Sequence, residues 1–356
     1  MTLELNRSVP QMTHLVRVAQ IDEERAALVA FLSAHLSPDA SIDRYEWLYC
    51  KNPAGIARVW VAFESLAGKM IGVSAAFPRR IYSRGREICG YVLGDFSIHP
   101  DFRSLGPALA LQRSTLEDLS RESAGFVLDF PSTSMLAIYK RLRIEPQELA
   151  IRFAKPLRSD RQIQKRIRTK AAGAVVAAAA NVALRLRDAG LGRSGEWAIK
   201  EETGSCGEEF TLAFRQWAPR LGLCADRSAE YLNWRFLQHP QRRYQLLTAR
   251  KDGRLCGYLI YHWAGEDATV VDLFTEDEQV SKALLIETIE MTRSCGVQTL
   301  SAPFLESHPG REILEDCGFQ PRESSPIVVL NLPWNASYPS GQIADHWYLT
   351  HGDRES

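Results

Sequence analysis

Arg103-Ser-Leu-Gly106-Pro-Ala108 has the residue types needed to grip an anion. It follows Leu93-Gly-Asp-Phe-Ser-Ile-His-Pro-Asp-Phe102, which reads as a strand running into a turn, and it opens a stretch that reads as a helix. The first-turn N–H groups of a helix have no intrahelical partner, and the macrodipole adds partial positive charge there. A phosphate therefore fits such a corner. Gly106 and Ala108 lack bulk beyond Cβ, so a ligand can approach the backbone closely. Arg103 adds a fixed positive charge with several donors. Pro107 has no N–H and removes one donor, a tolerable loss at an early helix position. Asp95 lies eight residues before Arg103, on the strand face shared by Leu93 and Ser97. Other chemistries lack their patterns. Ser132-Thr-Ser134 is not a G-x-S-x-G elbow, and the histidines show no H-x-x-x-H spacing, so neither a hydrolase triad nor a metal site is expected.

A strand ending in Ile-His-Pro-Asp-Phe and followed by Arg-x-x-Gly-x-Ala resembles the acyl-CoA loop of the GNAT N-acyltransferase superfamily. Tyr139-Lys-Arg-Leu142 resembles that family's Tyr-x-x-Leu-Gly-Phe box, with Arg143-Ile144 in place of Gly-Phe. The resemblance implies direct transfer of an acyl group from acyl-CoA, acetyl-CoA above all, to an amine. It implies a pyrophosphate on Arg103, Ser104, Leu105, Gly106, Pro107 and Ala108. It also implies a pantetheine arm paired like a strand along Phe96, Ser97 and Ile98. Ser132 stands where the family often has a cofactor-binding Asn. The reaction needs a neutral amine, a held thioester and a proton for the departing thiolate. Asp95 is the expected general base or ammonium binder, with Asp129 second in rank, and Tyr139 is the expected general acid.

The elements that must hold these residues follow from patterning. Residues 14–19 alternate like a strand, and Leu28, Phe31, Leu32 and Leu36 recur at helical spacing. A short helix ends at Asn52-Pro53. Strands over 58–64 and 70–77 flank a hairpin turn at Ala67-Gly68-Lys69, and a long strand over 88–98 feeds the loop. Helix 108–123, strand 126–130, helix 132–142 and a strand over 149–153 complete an α/β unit with a mixed sheet.

The same order then returns. Trp47 and Trp234 are 187 residues apart, as are Pro53 and Pro240, and Gly68-x-x-x-Gly72 matches Gly253-x-x-x-Gly257 at 185. Shared offsets of this kind indicate a duplicated unit. The expected organisation is two tandem GNAT-like domains, over 1–157 and 195–356, joined by a basic, alanine-rich helical connector over 158–194. In the second unit Phe274-Thr-Glu-Asp-Glu278 replaces the phosphate loop, and its carboxylates would repel a pyrophosphate. That unit is therefore expected to be a structural or acceptor-shaping half. Leu314-Glu-Asp-Cys-Gly318-Phe319 resembles the family's Leu-Gly-Phe ending, and residues 347–353 read as a terminal strand with a polar end.

The 356 residues carry 43 Lys+Arg against 43 Asp+Glu, so nothing calls for nucleic acid as a partner. Seven scattered cysteines without C-x-x-C spacing read as reduced thiols in a cytoplasmic protein. The uncharged run 171–184 is too short to span a bilayer, although 161–188 could rest on an anionic membrane surface. Tandem proteins with Trp-x-x-x-x-Asn-Pro near their start resemble bacterial acyltransferases of surface polysaccharide, which implies an amino-sugar or other small amine acceptor. Two alternatives share the double fold: an aminoacyl transferase of the Fem type, and a CoA-binding or partner-binding pair without turnover.

Overall fold

The computed structural model describes residues 14–64, 68–83, 85–121, 125–167, 169–192, 195–332 and 347–354. Part of the expected Ala67-Gly68-Lys69 turn lies outside these residues. The front half runs β1 (His14–Val18), α1 (Arg25–His35), α2 (Ile42–Tyr45), β2 (Arg58–Glu64), β3 (Met70–Ser83), β4 (Arg86–Ile98), α3 (Leu105–Arg121), β5 (Phe126–Asp129) and α4 (Thr133–Arg141). Next come β6 (Glu148–Pro156) and the helical connector α5 (Asp160–Arg166) and α6 (Lys170–Ala189). The rear half runs β7 (Ala198–Glu202), α7 (Glu208–Trp217), β8 (Leu223–Ala225), α8 (Ala229–Leu232), β9 (Tyr244–Lys251), β10 (Arg254–Ala264), β11 (Asp267–Thr275), α9 (Glu278–Ser294), β12 (Thr299–Leu305), α10 (Arg311–Asp316), β13 (Gln320–Asn331) and β14 (Trp347–Tyr348).

The duplication seen in the sequence is a pseudo-symmetric contact in space. Ser41 and Ser228 cap α2 and α8 by accepting from the N–H groups of Arg44 and Tyr231. Each helix then widens into a π turn, Glu46–Cys50 and Asn233–Leu237. Trp47 and Trp234 sit on these turns and stack on each other, centroids 5.0 Å apart. Each indole N–H donates to the other residue's carbonyl, at 2.8 and 2.9 Å. The guanidinium of Arg79 lies over Trp234 and that of Arg235 over Trp47. The two Gly-x-x-x-Gly patterns also do equivalent work. Gly68 and Gly253 take the left-handed conformation at their turns, with φ of +62° and +82°. A Cβ on Gly72 would strike Ile98 at 2.7 Å, and one on Gly257 would strike Thr275 at 2.6 Å.

One twisted sheet runs through both halves in the order β1-β2-β3-β4-β5-β13-β6-β12-β11-β10-β9-β7. Here the structure departs from the expectation that residues 149–153 close the front unit. The strand forms, but β6 pairs with β12 of the rear half, while the rear half's β13 pairs with β5 of the front. β6 and β13 pair with each other between them. The halves therefore exchange β6 and β13, and neither half's sheet is complete without the other. The connector is tied to the rear half: Asp188 at the end of α6 pairs with the buried Lys155 at 2.7 Å and with Arg293. Val175, Val176, Val182 and Leu186 of α6 face solvent. Among the described residues no helix is long and apolar enough to cross a membrane. All seven cysteines are free thiols, four of them buried.

Candidate active site

β4 and β5 run parallel only over Gly90–Val92 and Phe126–Leu128, and then part. Beyond Leu93, β4 keeps β3 on one side and, among the described residues, has no strand on the other. The gap between them is a cavity of about 620 Å³. Its walls include Phe96, Ser97 and Ile98 of β4, Arg103, Ser104, Leu105 and Ala108 at the start of α3, and Ser132 at the start of α4. The proposed cofactor residues thus converge on one opening, with Gly106 and Pro107 in the same first turn of α3. Gly106 is exposed, and a Cβ built on it meets nothing within 4 Å. It is not among the positive-φ glycines. Neither packing nor backbone conformation requires glycine there; close approach by a ligand would. Ser132 spends a lone pair capping α4, accepting from Met135 N–H at 3.2 Å.

Asp95 lines this cavity, but its oxygens are engaged. Arg44 donates to both of them, at 2.7 and 2.8 Å, and Tyr49 donates to Oδ2 at 2.7 Å. The residue sits on a β-bulge, where Asp95 and Phe96 together face Ser74, and takes φ +47°. The rear half repeats the device. Asp272 lies three residues before the end of β11, as Asp95 does in β4, and a bulge adjoins it. It takes Arg227 at 2.9 Å and the Tyr258 hydroxyl at 2.9 Å. A buried Asp–Arg–Tyr cluster recurs in both halves, although only the front half has the Arg-x-x-Gly-x-Ala corner, and in each it ties the bulged strand to neighbouring elements like a latch. Asp95, expected as the general base or ammonium binder, is thus already held by a guanidinium and a phenol.

Tyr139 also lies elsewhere than expected. Its phenol is fully buried, donates to Asp129 Oδ2 at 2.5 Å and accepts from Gln112 at 3.2 Å. Burial, and then the neighbouring Asp129 carboxylate, push it well above the usual phenol range. It is absent from the cavity wall, whereas Asp129 and Gln112 are part of it. Tyr139, expected as the general acid, thus lies behind Asp129 rather than on the cavity wall. The signal for Asp129 was its place at the end of β5, where the strands part.

In the rear half the corresponding gap opens after β11 and β12 pair over Asp267–Thr269 and Thr299–Ser301. The chain's own last segment fills it. Thr350 bridges to Phe304 and its hydroxyl donates to Asp272 at 3.0 Å, while Asp353 takes two bonds from Arg227 at 2.8 Å. Gly352 packs so closely that a Cβ would strike Phe236 at 2.7 Å. Residues 347–353 are thus a buried plug rather than a polar end. At the former loop Glu276 pairs with Arg254 at 2.6 Å, and Asp277 caps α9.

No known family profile and no curated protein sequence matches the chain. Solved structures do. A probable N-acyltransferase of unknown function from Enterococcus faecalis superposes with TM-score 0.65 at 12% identity, over 90% of this chain and 72% of that one. A GCN5-related N-acetyltransferase from Anabaena variabilis gives 0.63 at 15% identity, over 89% and 72%. The N-myristoyltransferase of Saccharomyces cerevisiae, solved with myristoyl-CoA, gives 0.57 at 10% identity, over 89% and 82%. The splayed strands, the bulge and the duplicated order agree with these likenesses: the chain has the GNAT N-acyltransferase fold in tandem.

Proposed function

We propose that the protein is an acyl-CoA-dependent N-acyltransferase whose front half holds the thioester, with acetyl-CoA the first donor to test. The observation that carries this reading is Gly106, exposed in the first turn of α3 with open space above it, at the mouth of the strand gap. The pyrophosphate would take the free N–H groups of Leu105 and Gly106 with Arg103 alongside. The pantetheine amides would pair with the open edge of β4 at Phe96–Ile98. The thioester then lies toward Asp129 and Gln112. Asp129 takes a proton from the incoming amine, the nitrogen bonds to the carbonyl carbon, and the C–S bond breaks. The same proton passes from Asp129 to the departing thiolate, so the balance needs no second acid. Tyr139 and Gln112 hold Asp129 in place, and Arg44 and Tyr49 hold the bulge through Asp95. The acceptor is a small-molecule amine, with amino sugars the first class to test.

The test is release of free CoA thiol from acetyl-CoA over a panel of amines. Asp129→Asn is expected to lower kcat by a factor of about 10²–10⁴ with CoA affinity retained. Tyr139→Phe is expected to cost less, because it removes a positioning bond. Full turnover in Asp129→Asn would overturn the mechanism.

A further inference from the structure

Phe130 and Pro131, the two residues after Asp129, line the front cavity and also a second one of about 320 Å³. The far wall of the second cavity comes from the rear half and the exchanged strands: Arg152, Phe304, Glu323, Thr350 and Arg354. His351 lines it too, and also lines an open third depression of about 700 Å³ with Arg242, Arg243, His262 and Trp263. The three spaces share walls in sequence, from the thioester gap to the outer surface of the rear half.

Their charge is one-sided. Glu323 is the carboxylate on these outer walls, and Arg152 holds it at 2.7 Å. Arg354 lies over the Phe130 ring, 5.4 Å from its centroid, with a buried Nε–H that has no hydrogen-bond partner. Arg354, Arg242 and Arg243 form no ion pair among the described residues. Three guanidinium groups without an ion pair among the described residues thus lie along this path, in a chain whose formal net charge is zero. Trp263 adds an apolar face 43% exposed beside Arg242 and Arg243. Burial and nearby arginines hold His351 neutral, down to about 3, and His262 is also lowered, so neither imidazole adds charge near neutral pH. Guanidinium forks match planar or tetrahedral oxyanions, and an aromatic face beside them suits a ring with polar edges.

Building on the acyltransferase reading, we infer that the acceptor is an anionic amine whose carboxylate or phosphate docks on Arg354, with the rest of an extended acceptor lying toward Arg242, Arg243 and Trp263. The amine then reaches Asp129 past Phe130. The rear half, its own groove plugged, supplies the acceptor site.

Calorimetry with matched amines tests this, after CoA binding has been measured separately. The pairs are glucosamine against glucosamine 6-phosphate, and β-alanine amide against β-alanine, which separate phosphate from carboxylate. The anionic member of at least one pair is expected to bind at least tenfold tighter. Arg354→Gln should erase that preference and leave CoA affinity unchanged. Arg242→Gln/Arg243→Gln, on the surface, should weaken glucosamine 6-phosphate severalfold and reduce the salt dependence of its binding. Equal affinity within both pairs, no binding by any of the four, or a preference that survives both variants overturns the inference. Loss of CoA binding in the unaltered protein would instead overturn the function on which it rests.

Discussion

Asp95→Asn separates a latch from a catalytic base. Arg44 and Asp95 are both buried and joined by two bonds of 2.7 and 2.8 Å. Removing one charge of a buried pair leaves the other uncompensated and costs about 3–5 kcal/mol. A typical domain has a margin of only about 5–15 kcal/mol, so the protein should unfold at visibly lower urea. Asp272→Asn is the internal control. Arg227 still has Asp353 at 2.8 Å, so its loss should be smaller. Tryptophan fluorescence reports both transitions, because Trp47 and Trp234 sit at the contact between the halves. The protein that remains folded at low temperature should keep turnover within about tenfold of the unaltered enzyme, well short of the ~10²–10⁴ that a lost base costs. An unchanged urea midpoint together with a thousandfold fall in kcat would refute the latch and return the general base to Asp95.

Two further outcomes follow from the geometry. Gly106→Leu should move stability and affinity in opposite directions. The space above Gly106 is open and its φ is not positive, so exchanging glycine inside a helix should stabilise by up to about 1 kcal/mol. The side chain then stands where the diphosphate docks, and CoA affinity by calorimetry should fall at least tenfold. Stability should also depend on acid in a defined window. Burial holds His239, His308 and His351 down to about 3. Their unfolded value is about 6.5. Between these limits the unfolded chain binds more protons, so stability is full above about pH 6.5 and is lost as pH falls toward 3. Three such groups give a slope of up to about 4 kcal/mol per pH unit. Urea midpoints measured from pH 7 to 4 should show it, and His308→Gln should make it shallower.

What could be read from the residues was local or periodic. The Arg-x-x-Gly-x-Ala corner, the long strand before it and the doubled Trp and Gly-x-x-x-Gly markers each depend on neighbours within a few positions. The 187-residue offset was informative because both indoles meet at one contact. What escaped was pairing at a distance. β6 reads as an ordinary closing strand, and nothing in its alternation says that its partners are β12 and β13. Arg44 and Asp95 are 51 residues apart, so the latch had no local signature. The plug was hidden because Thr350 and Asp353 are polar, and their burial depends on Arg227 and Asp272 waiting in the rear gap. Tyr139 was placed on the right helix, yet the side of α4 that faces the core rather than the cavity is decided by Asp129 and Gln112.

A crystal structure of the protein grown with acetyl-CoA tests the central claim most directly. The account predicts diphosphate oxygens on the N–H groups of Leu105 and Gly106, with the thioester between β4 and β5 near Asp129. Nucleotide density in the rear half, or an empty front gap at saturating ligand, would contradict it.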